Sequence, residues 1–340
     1  MRISLARARS ITAQFARQRI LVVGDLMLDR YIIGNVDRIS PEAPVPVVRV
    51  AQERNVPGGA ANVAMNIQSL GGHAVVAGIV GEDHAARELA AALHRAGIAT
   101  DGVMHLPGAR TTVKTRIVAE RQQVVRVDWE DRLRLAGRDL ARFSSRLRSL
   151  MCGATGAILD DYDKGVIRQD VVDAVLGPAR KRGVPVGFDP KRNHTLRVSG
   201  VTLATPNSKE AHEAAGVPER PADADPAKDE SLRRVGRILL QKWRPEQLIV
   251  TLGARGMYLI SQGRAPRVIP TKAREVYDVS GAGDTVIAAC LLAIAAGADY
   301  HEAAVIGNYA AGVVVGKLGT ATCSRAELET CIAEDEKLEI

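Results

Sequence analysis

Short apolar runs alternate with amphipathic stretches along most of this chain. Ile20-Leu-Val-Val-Gly24, Ala74–Val80, Gly156–Asp160, Val184–Asp189, Val201–Thr205 and Gln247–Leu252 are brief and nearly uncharged, as buried parallel strands are. Between most of them lie patterns of helical period: Gly59–Leu70, Ala85–Ala96, Leu133–Leu150 and Ser231–Trp243. Strand alternating with helix predicts an α/β fold, a doubly wound and mainly parallel sheet flanked by helices, with ligands bound beyond the carboxyl ends of the strands. Several runs end in polar residues there: Asp25, Asp160-Asp161, Asp189, Asn207 and Gly253.

Two stretches break the rhythm. Residues of about 30–52 and 108–128 contain the alternating segments Val45–Val50, Thr111–Val118 and Val124–Val127, with no helix between the last two. They are expected to form antiparallel strands of a small β-lid over the strand ends, although two edge strands of the main sheet would give the same pattern. The whole of 1–340 is expected to be one domain, with Gly216–Glu230, which holds three Pro, as a surface loop. Arg2, Arg7, Arg9, Arg17 and Arg19 precede the first acid, Asp25, and superficially resemble a transit peptide. A surface helix with Leu5, Ile11 and Phe15 packed inward is the preferred reading, because the run leads straight into a strand.

Composition narrows the classes. With 46% hydrophobic and only 3% aromatic residues, the core must be Val, Ile, Leu and Ala. Four widely spaced cysteines without a Cys-x-x-Cys pair argue against disulfides and thiolate zinc, and fit the cytoplasm. No apolar stretch approaches the ~18–20 residues of a membrane span. The net charge of +7 is spread along the chain without interleaved aromatics, which speaks against nucleic acid and suits anionic small substrates.

The chemistry concentrates in Asp278-Val-Ser-Gly-Ala-Gly-Asp284, followed at once by an apolar helical run. Gly281 and Gly283 let the backbone turn sharply, and the free amides of the first helical turn attract an anion. An acid beside an anion pocket repels the ligand unless it takes a proton from an attacking hydroxyl, which is the functional reading of Asp284. An isolated Asp at a helix start would merely stabilise the dipole. Pro57-Gly-Gly-Ala-Ala-Asn62 sets Gly58 and Gly59 before a helix with Asn62 one turn in, as a hydroxyl grip or as an ordinary loop-to-helix junction. Asp25 and Asp29 could bind vicinal hydroxyls or cap a solvated turn. Asn207-Ser-Lys-Glu210 offers oxygens that suit Mg²⁺, and equally a helix capping box. Thr251-Leu-Gly-Ala-Arg-Gly256 is a hairpin or a phosphate-cradling turn. Gly312–Leu318 lacks P-loop spacing, no Gly-x-Gly-x-x-Gly follows the first strand, and no His pair has metal-ligand spacing.

In that order, Gly-Gly-x-x-Asn, Asn-x-x-Glu, Thr-x-Gly-x-x-Gly and Asp-x-x-Gly-Ala-Gly-Asp resemble the ribokinase/PfkB family of carbohydrate kinases, from Ile20 to Gly319. Within it, Leu21–Tyr31, Arg38–Val47 and Asp161-Tyr-Asp-Lys-Gly165 look like the D-glycero-β-D-manno-heptose-7-phosphate kinases, which make the 1,7-bisphosphate on the way to ADP-heptose for lipopolysaccharide. The resemblance implies ATP, Mg²⁺ and a sugar phosphate as ligands, and Asp284 as base, with Gly281, Ala282 and Gly283 as anion hole. It implies sugar contacts at Asp25, Asp29, Gly58, Gly59 and Asn62, metal and phosphate contacts at Asn207 and Glu210, and a nucleotide site at Thr251, Gly253, Gly256 and Asn308. A homodimer through the β-lid is also implied. A phosphorylated substrate needs cations, and Lys114, Arg116, Arg126, Lys164 and Lys191 stand available, with bidentate Arg favoured for a dianion. The chain ends at Ile340, soon after the kinase pattern, so no nucleotidyltransferase domain is expected and adenylyl transfer would fall to another protein. The role of Asp278 is left open.

Overall fold

Alternate residues of the first strand feed two different cores. In this computed structural model, which describes residues 3–120, 122–191, 196–219, 225–273 and 275–337, Ile20 and Val22 belong to one buried cluster and Leu21 and Val23 to another. That is the mark of a strand covered on both faces. The chain runs α1 (Leu5–Thr12), β1 (Arg19–Gly24), β2 (Leu26–Ile39), β3 (Pro46–Gly59), α2 (Ala60–Ser69), β4 (His73–Val80), α3 (His84–Arg95) and β5 (Ala99–His105). It continues through β6 (Thr112–Ala119), β7 (Gln122–Trp129), α4 (Gly137–Met151), β8 (Gly156–Asp160), α5 (Gln169–Arg182), β9 (Val186–Asp189), β10 (Leu203–Ala204) and α6 (Ser208–Ala215). Then come α7 (Glu230–Trp243), β11 (Gln247–Thr251), β12 (Met257–Ile260), β13 (Arg267–Ile269), α8 (Ala282–Ala295), α9 (Tyr300–Val315) and α10 (Arg325–Lys337).

Nine strands form the main sheet in the order β13-β12-β11-β10-β9-β8-β1-β4-β5, parallel except for β12 and β13 at one edge. Helices α1, α2, α8, α9 and α10 contribute to one core, and α4 to α7 to the other. Ile11 and Phe15 are buried with them and Leu5 packs against them, as the surface-helix reading required. Helix α8 is buried all round from Asp284 to Ala293, so the helix that begins at the glycine turn has no solvent face of its own. Among the described residues no helix is long and apolar enough to cross a membrane.

The remaining strands make a separate four-stranded sheet, β3-β2-β6-β7. Two details depart from expectation. The central pair β2 and β6 is parallel, because the chain returns to the lid only after passing through α2, β4, α3 and β5. The lid is also longer than 30–52 and 108–128: β2 starts at Leu26, one residue beyond β1, and β3 runs to Gly59, where α2 begins. Both ends of that lid hairpin are therefore rooted at the carboxyl edge of the main sheet, beside Asp25. Every residue of β7 is exposed, since a strand at the open edge of a sheet with no helix over it has neither face covered. Strands β5 and β13, at the two edges of the main sheet, carry no long unbroken apolar run. The predicted loop 216–230 falls partly outside the described residues, and its last residue already belongs to α7.

Candidate active site

Asp284 sits in the first turn of α8, where Gly281, with φ +79°, takes the left-handed conformation that caps the helix. Asn62 on α2 donates to Asp284 Oδ2 at 2.7 Å, and the Tyr162 hydroxyl donates to Oδ1 at 2.7 Å. One turn further on, the Thr285 hydroxyl donates to Asn66 Oδ1 at 2.9 Å, so α2 and α8 are joined by a buried polar seam that fixes the acid's orientation. Burial lifts the Asp284 carboxyl from an ordinary 3.8 to about 6, against the hydrogen bonds from Tyr162 and Asn62, which lower it. Such a group is ionised at neutral pH yet basic enough to accept a proton.

Not all the amides at the start of α8 are free. The Ala282 N–H turns back onto Val279 O at 3.2 Å, whereas Gly281, Gly283 and Asp284 itself have no backbone acceptor among the described residues. The free amides at the helix start are thus those of Gly281, Gly283 and Asp284.

Three carboxylates, Asp160, Asp189 and Asp284, bring ligand oxygens within 4.8 Å of one another. Asp160 is wholly buried and neither of its oxygens has a hydrogen-bond partner. Burial, reinforced by the charge of Asp284, pushes the Asp160 carboxyl well above the usual range, and burial with Glu210 does the same to Asp189. Asp25 is lifted to about 6, again by burial first. These groups hold protons in the fold that the unfolded chain gives up near pH 4. Their stabilising contribution is complete below that pH and is lost as pH rises through about 6 for Asp25 and Asp284. Glu302, held low by its bond from Arg7, acts in the opposite sense, but only below its ordinary 4.5. The melting temperature of the ligand-free protein is therefore expected to rise between pH 7.5 and 5.5, and Asp160→Asn to flatten that rise, as differential scanning fluorimetry would measure. A flat wild-type profile would count against a charge-strained site.

Asp25 spends its carboxylate on the backbone: it accepts the N–H groups of Tyr162, Lys164 and Val166 at 2.8, 3.1 and 3.1 Å, and so shapes the loop after β8. Asp29 is bound by Arg116 at 2.5 Å and lies against Gly58, where a Cβ would stand only 2.5 Å from its Oδ2. Gly59, φ +58°, turns the chain into α2. The candidate cations are mostly paired: Arg126 with Asp128 at 2.9 Å, Lys164 with Glu130 at 2.6 Å, and Lys191 with Glu210 at 3.2 Å. Lys114 makes no ion pair among the described residues; with Lys191 it flanks the Tyr162 ring, at 5.4 and 4.9 Å. Five cations, Lys114, Arg126, Arg132, Lys164 and Lys191, and four acids, Asp128, Glu130, Asp131 and Asp163, line with Tyr162 a polar cavity of about 530 Å³ between the lid and the loop after β8.

On the other side of the glycine turn lies an apolar cavity of about 340 Å³, bordered by Thr251, Gly253, Gly256, Val279, Gly283 and Asn308. The Gly253–Arg255 turn joins β11 to β12, so Thr251-x-Gly-x-x-Gly256 is a hairpin and a cavity wall at once. Asn308 is fastened to Pro270 O at 2.6 Å. Asn207 and Glu210 form a reciprocal capping box on α6, and Asn207 pairs with Thr251 across the sheet end. Asn207 Oδ1 is spent on the Glu210 amide, while Glu210 Oε1 faces Lys191. Tyr162, Asp160, Asp189, Asn66 and Arg132 are site residues that the sequence reading assigned no role, although Asp160 and Asp189 stood at predicted strand ends and Tyr162 inside a quoted motif.

A doubly wound sheet with a buried acid at a glycine turn, flanked by an apolar and a charged cavity at its carboxyl edge, has the parts of a phosphotransferase. The family model for pfkB family carbohydrate kinases matches residues 17–327, and the chain belongs to that family, whose members phosphorylate a sugar hydroxyl. It is 43% identical over 328 residues to the Bifunctional protein HldE of Pelobacter propionicus, covering 96% of this chain and 66% of that protein. For the Bifunctional protein HldE of Alkalilimnicola ehrlichii the identity is 45% over 324 residues, with 95% and 65% covered. The chain thus spans less than two thirds of the length of these relatives. Among solved structures, Escherichia coli phosphofructokinase-2 superposes with a TM-score of 0.71 at 19% identity, covering 93% of this chain and 98% of that one. Arabidopsis thaliana ribokinase gives 0.67 at 20% identity, with 93% and 98% covered. At these identities the likeness establishes the ribokinase-like fold.

Proposed function

We propose that the protein transfers the γ-phosphoryl of ATP to the anomeric hydroxyl of D-glycero-D-manno-heptose 7-phosphate, giving the 1,7-bisphosphate. The observation that carries this reading is the polar cavity between the lid and the loop after β8, where five cations stand among four acids and Lys114 is in no ion pair among the described residues; a sugar bearing its own phosphate requires such a cation and a neutral sugar does not. The heptose-kinase-like segments Leu21–Tyr31 and Asp161–Gly165 support the choice of sugar. Lys114, in no ion pair among the described residues and desolvated enough to lower its pKa, is the cation most open to a phosphate. Asp284 takes the proton of the attacking hydroxyl, its oxygen forms the new O–P bond, and the bond to ADP breaks. The amides of Gly281, Gly283 and Asp284 at the start of α8 face the charge of the transferring group.

The carboxylates Asp160 and Asp189, whose oxygens lie within 4.8 Å of each other and of Asp284, suit a hard divalent cation, and Glu210, whose charge helps raise the Asp189 carboxyl, adds an oxygen donor nearby. Bound there, Mg²⁺ would offset phosphate charge. The apolar cavity suits adenine. The exposed Val124, Val125, Val127 and Trp129 of β7 suit a second copy of the chain, in keeping with a homodimer through the lid.

ADP release with ATP, Mg²⁺ and a sugar panel tests the reading. The expected kcat/KM for heptose 7-phosphate exceeds that for unphosphorylated heptose by about 100-fold, the worth of two charge-assisted hydrogen bonds at the lower end of their range. Turnover of ribose or fructose 1-phosphate with none of heptose 7-phosphate would overturn the substrate assignment.

A further inference from the structure

Tyr31 lies on the lid strand β2, and Thr320 in the segment between α9 and α10. The Tyr31 hydroxyl accepts the Thr320 N–H at 3.1 Å and lies 3.0 Å from the Thr320 hydroxyl, which also approaches Asp29 Oδ2 at 3.5 Å. Both residues are buried, and the Arg116 guanidinium that binds Asp29 lies over the Tyr31 ring at 5.3 Å. The connection continues on the other side of Thr320. Gly319, with φ +73°, donates its N–H to Asp278 Oδ2 at 3.2 Å, and Asp278 Oδ1 accepts the Ser280 N–H at 2.9 Å. Ser280 precedes Gly281, and the Thr320 methyl stands 3.4 Å from where a Gly281 Cβ would be. Hydrogen bonds and the covalent step from Thr320 to Gly319 thus run unbroken from the lid to the glycine turn.

That turn needs outside support. Its glycines lose the most backbone entropy on ordering, and its free amides must hold one geometry to face an anion. We propose that Tyr31 and Thr320 are positioning residues, which hold the Ser280–Asp284 turn in its phosphoryl-binding shape and tie that shape to the lid. The inference rests on the reading of this turn as the phosphoryl cradle. It also accounts for Asp278, whose carboxylate is the link between Gly319 and the turn.

Tyr31→Phe keeps the ring under Arg116 and removes only the hydroxyl. Hydrogen exchange of the ligand-free protein is the first readout, because the amides of Ser280, Ala282 and Thr285 are hydrogen-bonded in this structure. They are expected to exchange about tenfold faster in the variant, with β1 and β8 unchanged. The second readout is kinetic: kcat is expected to fall about tenfold with KM for ATP within about twofold, Thr320→Val to behave alike, and Thr320→Ser to restore turnover. Unchanged exchange at those three amides, or faster exchange without a fall in kcat, overturns the proposal and leaves the contacts as packing alone. Exchange needs no substrate, so a wild-type protein that turned over no sugar would remove the functional reading separately.

Discussion

Asp284→Asn is expected to lower kcat by about 10³-fold or more, with a cooperative melt retained. Asp284 is 4% exposed, and its two oxygens are held by donors from two different elements, so an amide of the same shape fits the space. What the amide lacks is basicity. With its carboxyl lifted to about 6, the wild-type acid is ionised at neutral pH, as the proposed role of accepting the hydroxyl proton requires. The same property gives wild-type kcat an acid limb that falls as pH drops through about 6. A single-turnover assay with purified variant measures the loss, and near-wild-type turnover would remove Asp284 from the chemistry.

Gly281→Ala is expected to reduce kcat by about 100-fold, more than its effect on folding explains. At φ +79° an alanine costs about 1–2 kcal/mol in the left-handed conformation. That cost alone lowers the melting temperature by only several degrees. The larger consequence is local: the new Cβ would lie 2.7 Å from Asn62 Nδ2, closer than any real contact, so Asn62 must withdraw from Asp284 Oδ2. Base and cradle are disturbed together. Gly283→Ala is the control, because its Cβ meets nothing within 4 Å in the ligand-free protein. It is expected to keep the melting temperature, with its effect falling on KM for ATP across the apolar cavity. Equal behaviour of the two variants would contradict this account of the turn.

What could be read from the sequence was whatever repeats locally. Unbroken apolar runs such as Ile20–Val23 announced strands covered on both faces, and the glycine pairs at 58–59 and 281–283 announced turns into helices. The site could be read as far as each motif carries its own chemistry: Asp284 and Asn62 meet in one hydrogen bond, and the Thr251–Gly256 turn walls the cavity beside the glycine turn. Partnerships were hidden. Asn62 and Asp284 are 222 positions apart, and Tyr31 and Thr320 are 289 apart, distances over which no period or spacing speaks. The ranking of cations was hidden for the same reason: Arg116 is available until Asp29 is seen beside it, and Lys114 stands out only once its neighbours are paired. The parallel pairing of β2 with β6 depends on the chain's route through α2, β4, α3 and β5.

The central claim is that the phosphoryl group goes to the anomeric oxygen of a sugar that already carries a phosphate. Phosphorus NMR of the product made from heptose 7-phosphate, ATP and Mg²⁺ tests it most directly. The expected spectrum keeps the primary phosphate at C7 and gains a second phosphorus coupled to the anomeric proton. A new phosphate coupled to any other sugar proton, or none beyond that of the starting sugar, would contradict the account.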